Sequence, residues 1–452
     1  MKTAAVLLAA GRGTRMKSSL PKVLHPVAGR PMLWHALRAV HEAGCDRVVV
    51  VVGHEAEKVR EAVGAAGQCV VQEPQLGTGH AVQQAEALLQ GETDLVLVTA
   101  ADMPLLRGET LSRLIEAQRA HKGPVTMLTV LADDPRGFGR VVRGEDRRVQ
   151  AIVEEAQATP EQRAIRELNV GAYCFSAGWL WEALRRVPLS PKGEYYLTDT
   201  IALAVEEGLS VQALTLEDAS EAIGVNTRVH LAEAEAVMRK RINRQHMLNG
   251  VTLINPEATY IEAGVAIGRD TVIWPNTFLQ GDTTVGEGCM LGPNTLVRDS
   301  HIGDRCTVLA SVVEGAHLEE DVEIGPFARL RKGAHLARGV HMGNFGEVKD
   351  SYLGPGVKMG HFSYIGNATV GAGTNIGAGT ITCNYDGEKK HPTEIGEDVF
   401  IGSDTMLVAP LKVGDRARTG AGSVVTKDVP PDTLVVGVPA RAIRKLESRD
   451  RD

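Results

Sequence analysis

Three segments of this chain carry glycines or charged side chains placed in a way that suits phosphate chemistry. Gly11 and Gly13 bracket Arg12 in LAAGRGTRMKSSLPKVL, where Arg15 and Lys22 also lie. Glycines let backbone amides approach phosphate oxygens, and the three cations supply compensating charge. The segment matches neither the GxGxxG dinucleotide fingerprint nor the P-loop spacing. Gln72 precedes LGTGHA, in which Gly77 and Gly79 flank Thr78 ahead of a helical stretch. Asp102, in AADMP, ends an apolar run. A carboxylate there can hold a divalent cation against phosphate, or cap the next helix. Far downstream, Arg331, Lys349, His361 and Tyr364 fall on successive segments, followed by CNYDGEKKHPTE from Cys383. That set suits an anionic sugar, with an imidazole able to accept a proton near neutral pH.

The elements that must position these residues change halfway along the chain. Residues 6–9, 47–52, 68–72 and 95–100 are short apolar runs, separated by helical patterns such as 32–43 and 80–89. The alternation predicts a mostly parallel sheet covered by helices. Ligands of such sheets bind beyond the carboxyl ends of the strands, where the first three motifs fall. Residues 231–247 favour helix, with Leu231, Ala234, Val237, Met238 and Ile242 spaced as an apolar stripe, and predict a rigid helical linker.

From Ile267 an aliphatic residue, often followed by Gly, returns every six positions, slipping by one near Ser300. This period predicts stacked strand-and-turn units that each turn one aliphatic side chain inward, as in a left-handed parallel β-helix of hexapeptide repeats. The glycines are expected at tight corners between strands. The period stops between Ile381 and Ile395, which points to a site rather than a plain coil. The expected division is 1–228 for the α/β domain, 229–249 for the helix and 250–452 for the coil.

A net charge of -7 and a pI near 6.1 leave no basic footprint for nucleic acid. The 49 glycines do not fall at every third position, which excludes collagen. Six scattered cysteines lack metal-ligand spacing and read as free thiols in a reducing compartment. No run approaches the ~18 apolar residues of a membrane span. MKTAAVLLAAGRG reads as strand and loop rather than signal peptide, so a cytoplasmic location is expected. Residues 441–445 read as a solvated tail.

LAAGRGTRM, LPKVLHPVAGRPM, QLGTGHA and ADMP, with GFGR, IVEE, ELNVG, GEYYLTD and GVNTR, resemble the sugar-1-phosphate nucleotidyltransferases. FARLR, GNFGEVK, GHFSYIG, NIGAGTITCNYDG and VFIGSDT extend the likeness to the bacterial family that pairs N-acetylglucosamine-1-phosphate uridyltransferase with glucosamine-1-phosphate acetyltransferase. The resemblance covers essentially the whole chain. It implies acetyl transfer from acetyl-CoA to glucosamine-1-phosphate, then uridylyl transfer from UTP with release of pyrophosphate. The product is UDP-N-acetylglucosamine.

The resemblance also implies residue roles. Leu8, Ala9, Ala10, Gly11, Gln72, Gly77, Thr78, Ala100 and Ala101 would meet the nucleotide, and Arg15 and Lys22 would stabilise the transferring phosphate. Asp102 and Asn226 would hold Mg2+, while Gly139, Glu154 and Asn169 would line the sugar pocket. His361 would be the general base, with Glu347 a candidate to orient it. Arg331, Lys349, Tyr364 and Asn375 would bind glucosamine-1-phosphate. Ala378, Asn384, Tyr385, Lys390, Ser403 and Ala421 would line the acetyl-CoA groove. The family pattern implies a homotrimer.

The chain departs from that pattern at Ala101, where Gly is common, and at Val170, where Thr is common and a hydroxyl near the sugar would be lost. Val438 stands where some members carry a CoA-contacting arginine, a contact that Arg441 or Arg444 could supply. The competing readings are a nucleotidyltransferase whose coil is only structural or regulatory, and a non-enzymatic scaffold.

Overall fold

The run Thr3–Leu8 is apolar after its first residue because it lies between two other strands with both faces covered. It belongs to a nine-stranded sheet ordered Val211–Thr215, Val125–Leu131, Glu167–Ser176, Leu95–Ala100, Thr3–Leu8, Arg47–Val52, Gln68–Val71. Within this path only Glu167–Ser176 runs antiparallel to its neighbours. Val211–Thr215, Thr3–Leu8 and Arg47–Val52 pair in parallel with theirs. The hairpin Arg140–Arg143 and Val149–Val153 attaches to the antiparallel strand. Successive side chains alternate between two cores: Leu7, Val50 and Leu97 enter one, and Val6, Val49 and Val98 the other.

The computed structural model describes residues 1–445 and divides into Met1–Met238 and the part from Arg239 onward. That division falls inside the helix Arg228–Leu248. The helix is no free spacer. Ala234 is buried in the first unit, with Leu231, Val237 and Met238 packed around it. Ile242 packs on the core of the second unit, where Asn243 Nδ2 donates to the carbonyls of Pro256 (2.7 Å) and Thr259 (3.0 Å). Among the described residues no helix is long and apolar enough to cross a membrane. The residue 80–89 segment forms two helices, Thr78–Gln83 and Glu86–Leu89.

In the second unit three sheets of 12, 10 and 9 strands, parallel throughout except for the last strand of the first, wrap one core, the left-handed β-helix of hexapeptide repeats. Each coil sends one side chain inward per face: Ile273, Leu279 and Val285, then Leu291, Val297 and Ile302, and so on to Ile401, Leu407 and Val413. Burying each such side chain stabilises by about 1.5–3 kcal/mol. Val272 pairs with Met290, 18 residues ahead, whereas His301 pairs with His317 after 16, so two coils shorten around Ser300. Where the period stops, Ile381 is not the inward residue. Thr382 is, with its hydroxyl donating to Gly366 O and accepting from Gly366 N.

Most of the glycines after the aliphatic positions have a different cause from the expected corners, although Gly292 and Gly325, after Leu291 and Ile324, do adopt positive φ. A Cβ on Gly371 would stand 2.5–2.6 Å from the backbone of Gly396 and Glu397 on the next coil, yet its φ is ordinary. Close stacking of coils excludes the side chain there. The left-handed corners fall mostly at other positions, on residues such as Asp270, Asn276 and Asn294 and on glycines such as Gly288 and Gly356. Gly371→Ala is therefore expected to cost about 1–3 kcal/mol by overpacking, measured by denaturant unfolding. Gly360→Ala, where a Cβ meets nothing within 4 Å, should cost less. Equal midpoints for the two variants would contradict this account.

The expected solvated tail is a strand, Ala440–Lys445, antiparallel to Thr433–Gly437 because the last coil leaves an unpaired edge. Arg441 and Arg444 on it are exposed, as is Val438. The six cysteines are free, and the thiols of Cys289 and Cys306 donate to carbonyls of neighbouring coils.

Candidate active sites

In the first unit the motifs meet at the carboxyl ends of the central strands. Leu8 lies in register with Ala100, and Ala101 N donates to Leu8 O (3.0 Å). Ala10 O accepts from Gln75 Nε2 (2.6 Å), and buried Gln72 donates to Gly77 O (2.8 Å). Gly77 adopts φ 96°, and a Cβ there would sit 2.6 Å from Tyr195 O. The LGTG loop is clamped by the GEYYLTD segment: Gly79 N donates to Tyr195 O (2.8 Å) and Leu197 N to Thr78 Oγ1 (3.0 Å). Gly11 is exposed with open space around it. Arg12 and Arg15 are exposed, and among the described residues neither has an ion-pair partner.

Lys22 is the hub of the charged end. Its ammonium bonds the Asp102 carboxylate and reaches Asn226 Oδ1 at 3.1 Å. Val225 N donates to Asp102 O (2.9 Å), which brings the GVNTR loop beside ADMP. The next helix, Gly108–Ala120, is preceded by Arg107, so Asp102 is no helix cap. A cation thus already sits between the two oxygens. Hard oxygen donors of this kind suit Mg2+, which keeps water and phosphate as its other ligands. Among the described residues no cluster of three or more His, Cys, Asp or Glu could hold a metal by itself.

Beyond this end, a cleft of about 540 Å³ is lined by Gly137, Glu154, Glu155, Arg163, Lys192 and Tyr196. Thr198 Oγ1 donates to Glu154 Oε1 (3.0 Å), and burial followed by the Glu154 charge pushes the Asp199 carboxyl up. Asn169 is buried: its N–H donates to Gly139 O, its Nδ2 to Tyr173 Oη (2.6 Å), and its Oδ1 accepts from Gly171 N. Val170 points to the opposite face of the strand and is buried in the core, so no hydroxyl is lost from the sugar side. The extra methyl of Ala101 is likewise buried in that core.

In the second unit strand register aligns the acetyl-transfer candidates. Lys358 pairs with Asn375, Asn375 with Phe400, and Phe400 with Arg418. Carried three residues on, the same row holds His361, Ala378, Ser403 and Ala421 at one corner of successive coils. Backbone bonds keep the corner tight, as from Gly422 N to Ser403 O (2.8 Å). His361 is exposed at the end of this row of small residues.

Around the corner, Glu347 and Tyr364 are in register on the next face, and Lys349 is in register with Gly366. Glu347 does not orient His361: Arg331 holds its carboxylate at 3.0 Å because the two face outward on adjacent coils. Beside Lys349, the Lys390 side chain, and to a lesser degree Arg331, hold its ammonium below the usual lysine range. Lys390, expected in the CoA groove, thus lies beside Lys349 and Arg331. A Cβ on Gly366 would strike the Tyr364 hydroxyl and Asn384 Nδ2, which places both above the cluster. Asn375 lies on the other face, apart from these cations. Tyr385 is exposed on the loop, bridged to Lys390. The rings of His301, His317, His335 and Tyr352 follow one another up one face, the first pair stacked and the next two pairs edge-on.

The fold and these sites define a transferase that joins a nucleotide-handling α/β unit to a hexapeptide-repeat coil. The family described as MobA-like NTP transferase domain matches residues 5–177, and bacterial transferase hexapeptide (six repeats) matches residues 264–299 and 392–427. The chain is 48% identical to the bifunctional protein GlmU of Pelobacter propionicus, over 96% of this chain and 95% of that one. It is 49% identical to GlmU of Heliobacterium modesticaldum, with 96% and 95% covered. Against GlmU of Geobacillus sp. identity is 46%, with 100% and 98% covered. The chain belongs to the GlmU family of bifunctional proteins, and it is an enzyme with acetyltransferase and uridylyltransferase activities.

Proposed function

We propose that this chain makes UDP-N-acetylglucosamine at two separate sites, acetylating glucosamine-1-phosphate within residues 250–452 and uridylylating the product within residues 1–228. The observation that carries the reading is the row His361, Ala378, Ser403, Ala421 beside the Arg331, Lys349 and Lys390 cations. A purely structural coil has no use for either.

In the acetyl step the sugar amine attacks the thioester carbonyl of acetyl-CoA, and His361 takes the amine proton. The C–S bond breaks, and the departing CoA sulfur leaves as thiolate and is protonated. Small side chains at Ala378, Ser403 and Ala421 leave room for an extended thioester arm along rungs about 4.8 Å apart. Arg331, Lys349 and Lys390 neutralise the sugar phosphate, and Tyr364 and Asn384 donate to the same ligand. Asn375 approaches from the neighbouring face, and Tyr385 flanks the arm. The site is completed in a homotrimer.

In the uridylyl step a phosphate oxygen of the acetylated sugar attacks the α-phosphate of UTP, and the bond to the β-phosphate breaks. The nucleophile needs no base, so catalysis rests on alignment and charge neutralisation. Leu8 to Gly11, Gln72, Gly77 and Thr78 hold the nucleotide, while Gly139, Glu154 and Asn169 hold the sugar. Asp102 and Asn226 would hold Mg2+, whose charge offsets that on the phosphates. Lys22 then turns from these oxygens to the transferring phosphate, beside Arg15.

Binding of glucosamine-1-phosphate tests the cation cluster. Because Lys349 is held below the usual lysine range, it loses its proton earlier as pH rises, and affinity falls with it. A plot of log KM against pH should therefore break below that range. Lys349→Arg, which stays charged, should move the break upward. A break that ignores this substitution would remove Lys349 from the site.

A further inference from the structure

We propose that Asp386 and His391 are positioning residues for acetyl transfer, closing the 384–392 loop so that Lys390 stands at the phosphate of the amino sugar. The inference rests on the assignment of Arg331, Lys349 and Lys390 to that phosphate.

The loop is the excess of one coil: Thr369 pairs with Glu394, 25 residues ahead, where Glu394 pairs with Lys412 after 18. Such an insertion has no core of its own, yet this one is tied at several points. Asp386 Oδ1 accepts from the amides of Glu388 and Lys389, both at 2.8 Å, and Oδ2 meets His391 Nε2 at 2.6 Å. Asp386 N donates to Lys389 O (3.2 Å), and His391 N to Asn384 O (2.8 Å). Tyr385 and Lys390 bridge across the loop between these ties. Its base is fixed in turn, since Asn384 Nδ2 donates to Asn367 Oδ1 (2.7 Å) and Asn367 N to Lys349 O (3.1 Å).

This closure holds a cation where electrostatics opposes it. Lys390 stands beside Lys349 with Arg331 close by, and the ion-pair partner of Lys349 is Asp350 at 3.8 Å. Like charges separate unless something fixes them or an anion joins them. The Asp386–His391 pair fixes the loop before the anion arrives, so less ordering remains to be done on binding. The amide of Lys389, then His391 and the amide of Glu388, hold the Asp386 carboxyl far below its usual range, so it accepts these bonds as a carboxylate.

The test is steady-state kinetics of the full chain with glucosamine-1-phosphate and acetyl-CoA, following free thiol, with uridylyl transfer as the check on folding. Asp386→Ala should raise KM for glucosamine-1-phosphate by about tenfold, while kcat and KM for acetyl-CoA stay within about twofold. Asp386→Asn, which still accepts from both amides, should show a smaller rise. Adding Asp386→Ala to Lys390→Ala should give no further rise, because both act through one contact. If Lys390→Ala raises KM and Asp386→Ala does not, or if the two effects add, the positioning role is overturned. If Lys390→Ala leaves KM unchanged, the phosphate assignment of Lys390 fails and the inference falls with it.

Discussion

Replacing His361 with Ala is expected to slow acetyl transfer by about 100- to 10,000-fold, the range general-base catalysis contributes, while pyrophosphate release from UTP continues. Among the described residues, other candidate bases of this unit are already engaged. Glu347 is held by Arg331, His391 by Asp386, and His341 by Glu323 at 3.0 Å. The loss should appear in kcat, because His361 stands at the end of the small-residue row rather than within it. A variant with normal kcat and a raised KM for acetyl-CoA would make His361 a binding residue and refute its role as base.

Asp102→Ala should do the reverse. Charge stabilisation worth several kcal/mol corresponds to a loss on the order of 1000-fold in uridylyl transfer, with acetyl transfer intact. The same substitution should remove divalent-cation binding, followed directly by the paramagnetic signal of Mn2+. It also releases Lys22, which now bonds both Asp102 and Asn226. An unchanged Mg2+ requirement would contradict the metal role.

The chemistry of the first unit was legible because its glycines and charges follow apolar runs directly, and the coil because its inward side chains repeat every six residues. What sequence could not show was mostly set by distant contacts. Lys22 meets Asn226 across 204 positions, and Tyr195 clamps Gly77 through backbone atoms that leave no residue signature. The glycines of the coil were visible, but their cause was not: backbone stacking between coils leaves no trace in local turn chemistry. Glu347 illustrates the same limit. Its place in the polar cluster was readable, yet Arg331 claims it because strand register places the two on adjacent rungs. The interruption after Ile381 was legible as an insertion in one coil. That its Lys390 turns toward Lys349 depends on the Asp386 tie within the loop, which composition alone does not reveal.

Two independent active sites in one chain predict that the two variants complement each other. His361→Ala and Asp102→Ala proteins, each alone with glucosamine-1-phosphate, acetyl-CoA, UTP and Mg2+, should yield no appreciable UDP-N-acetylglucosamine. Combined, they should yield it, because the acetylated sugar released by the Asp102→Ala protein is uridylylated by the His361→Ala protein. A mixture as inactive as its components, with both proteins folded, would contradict the account.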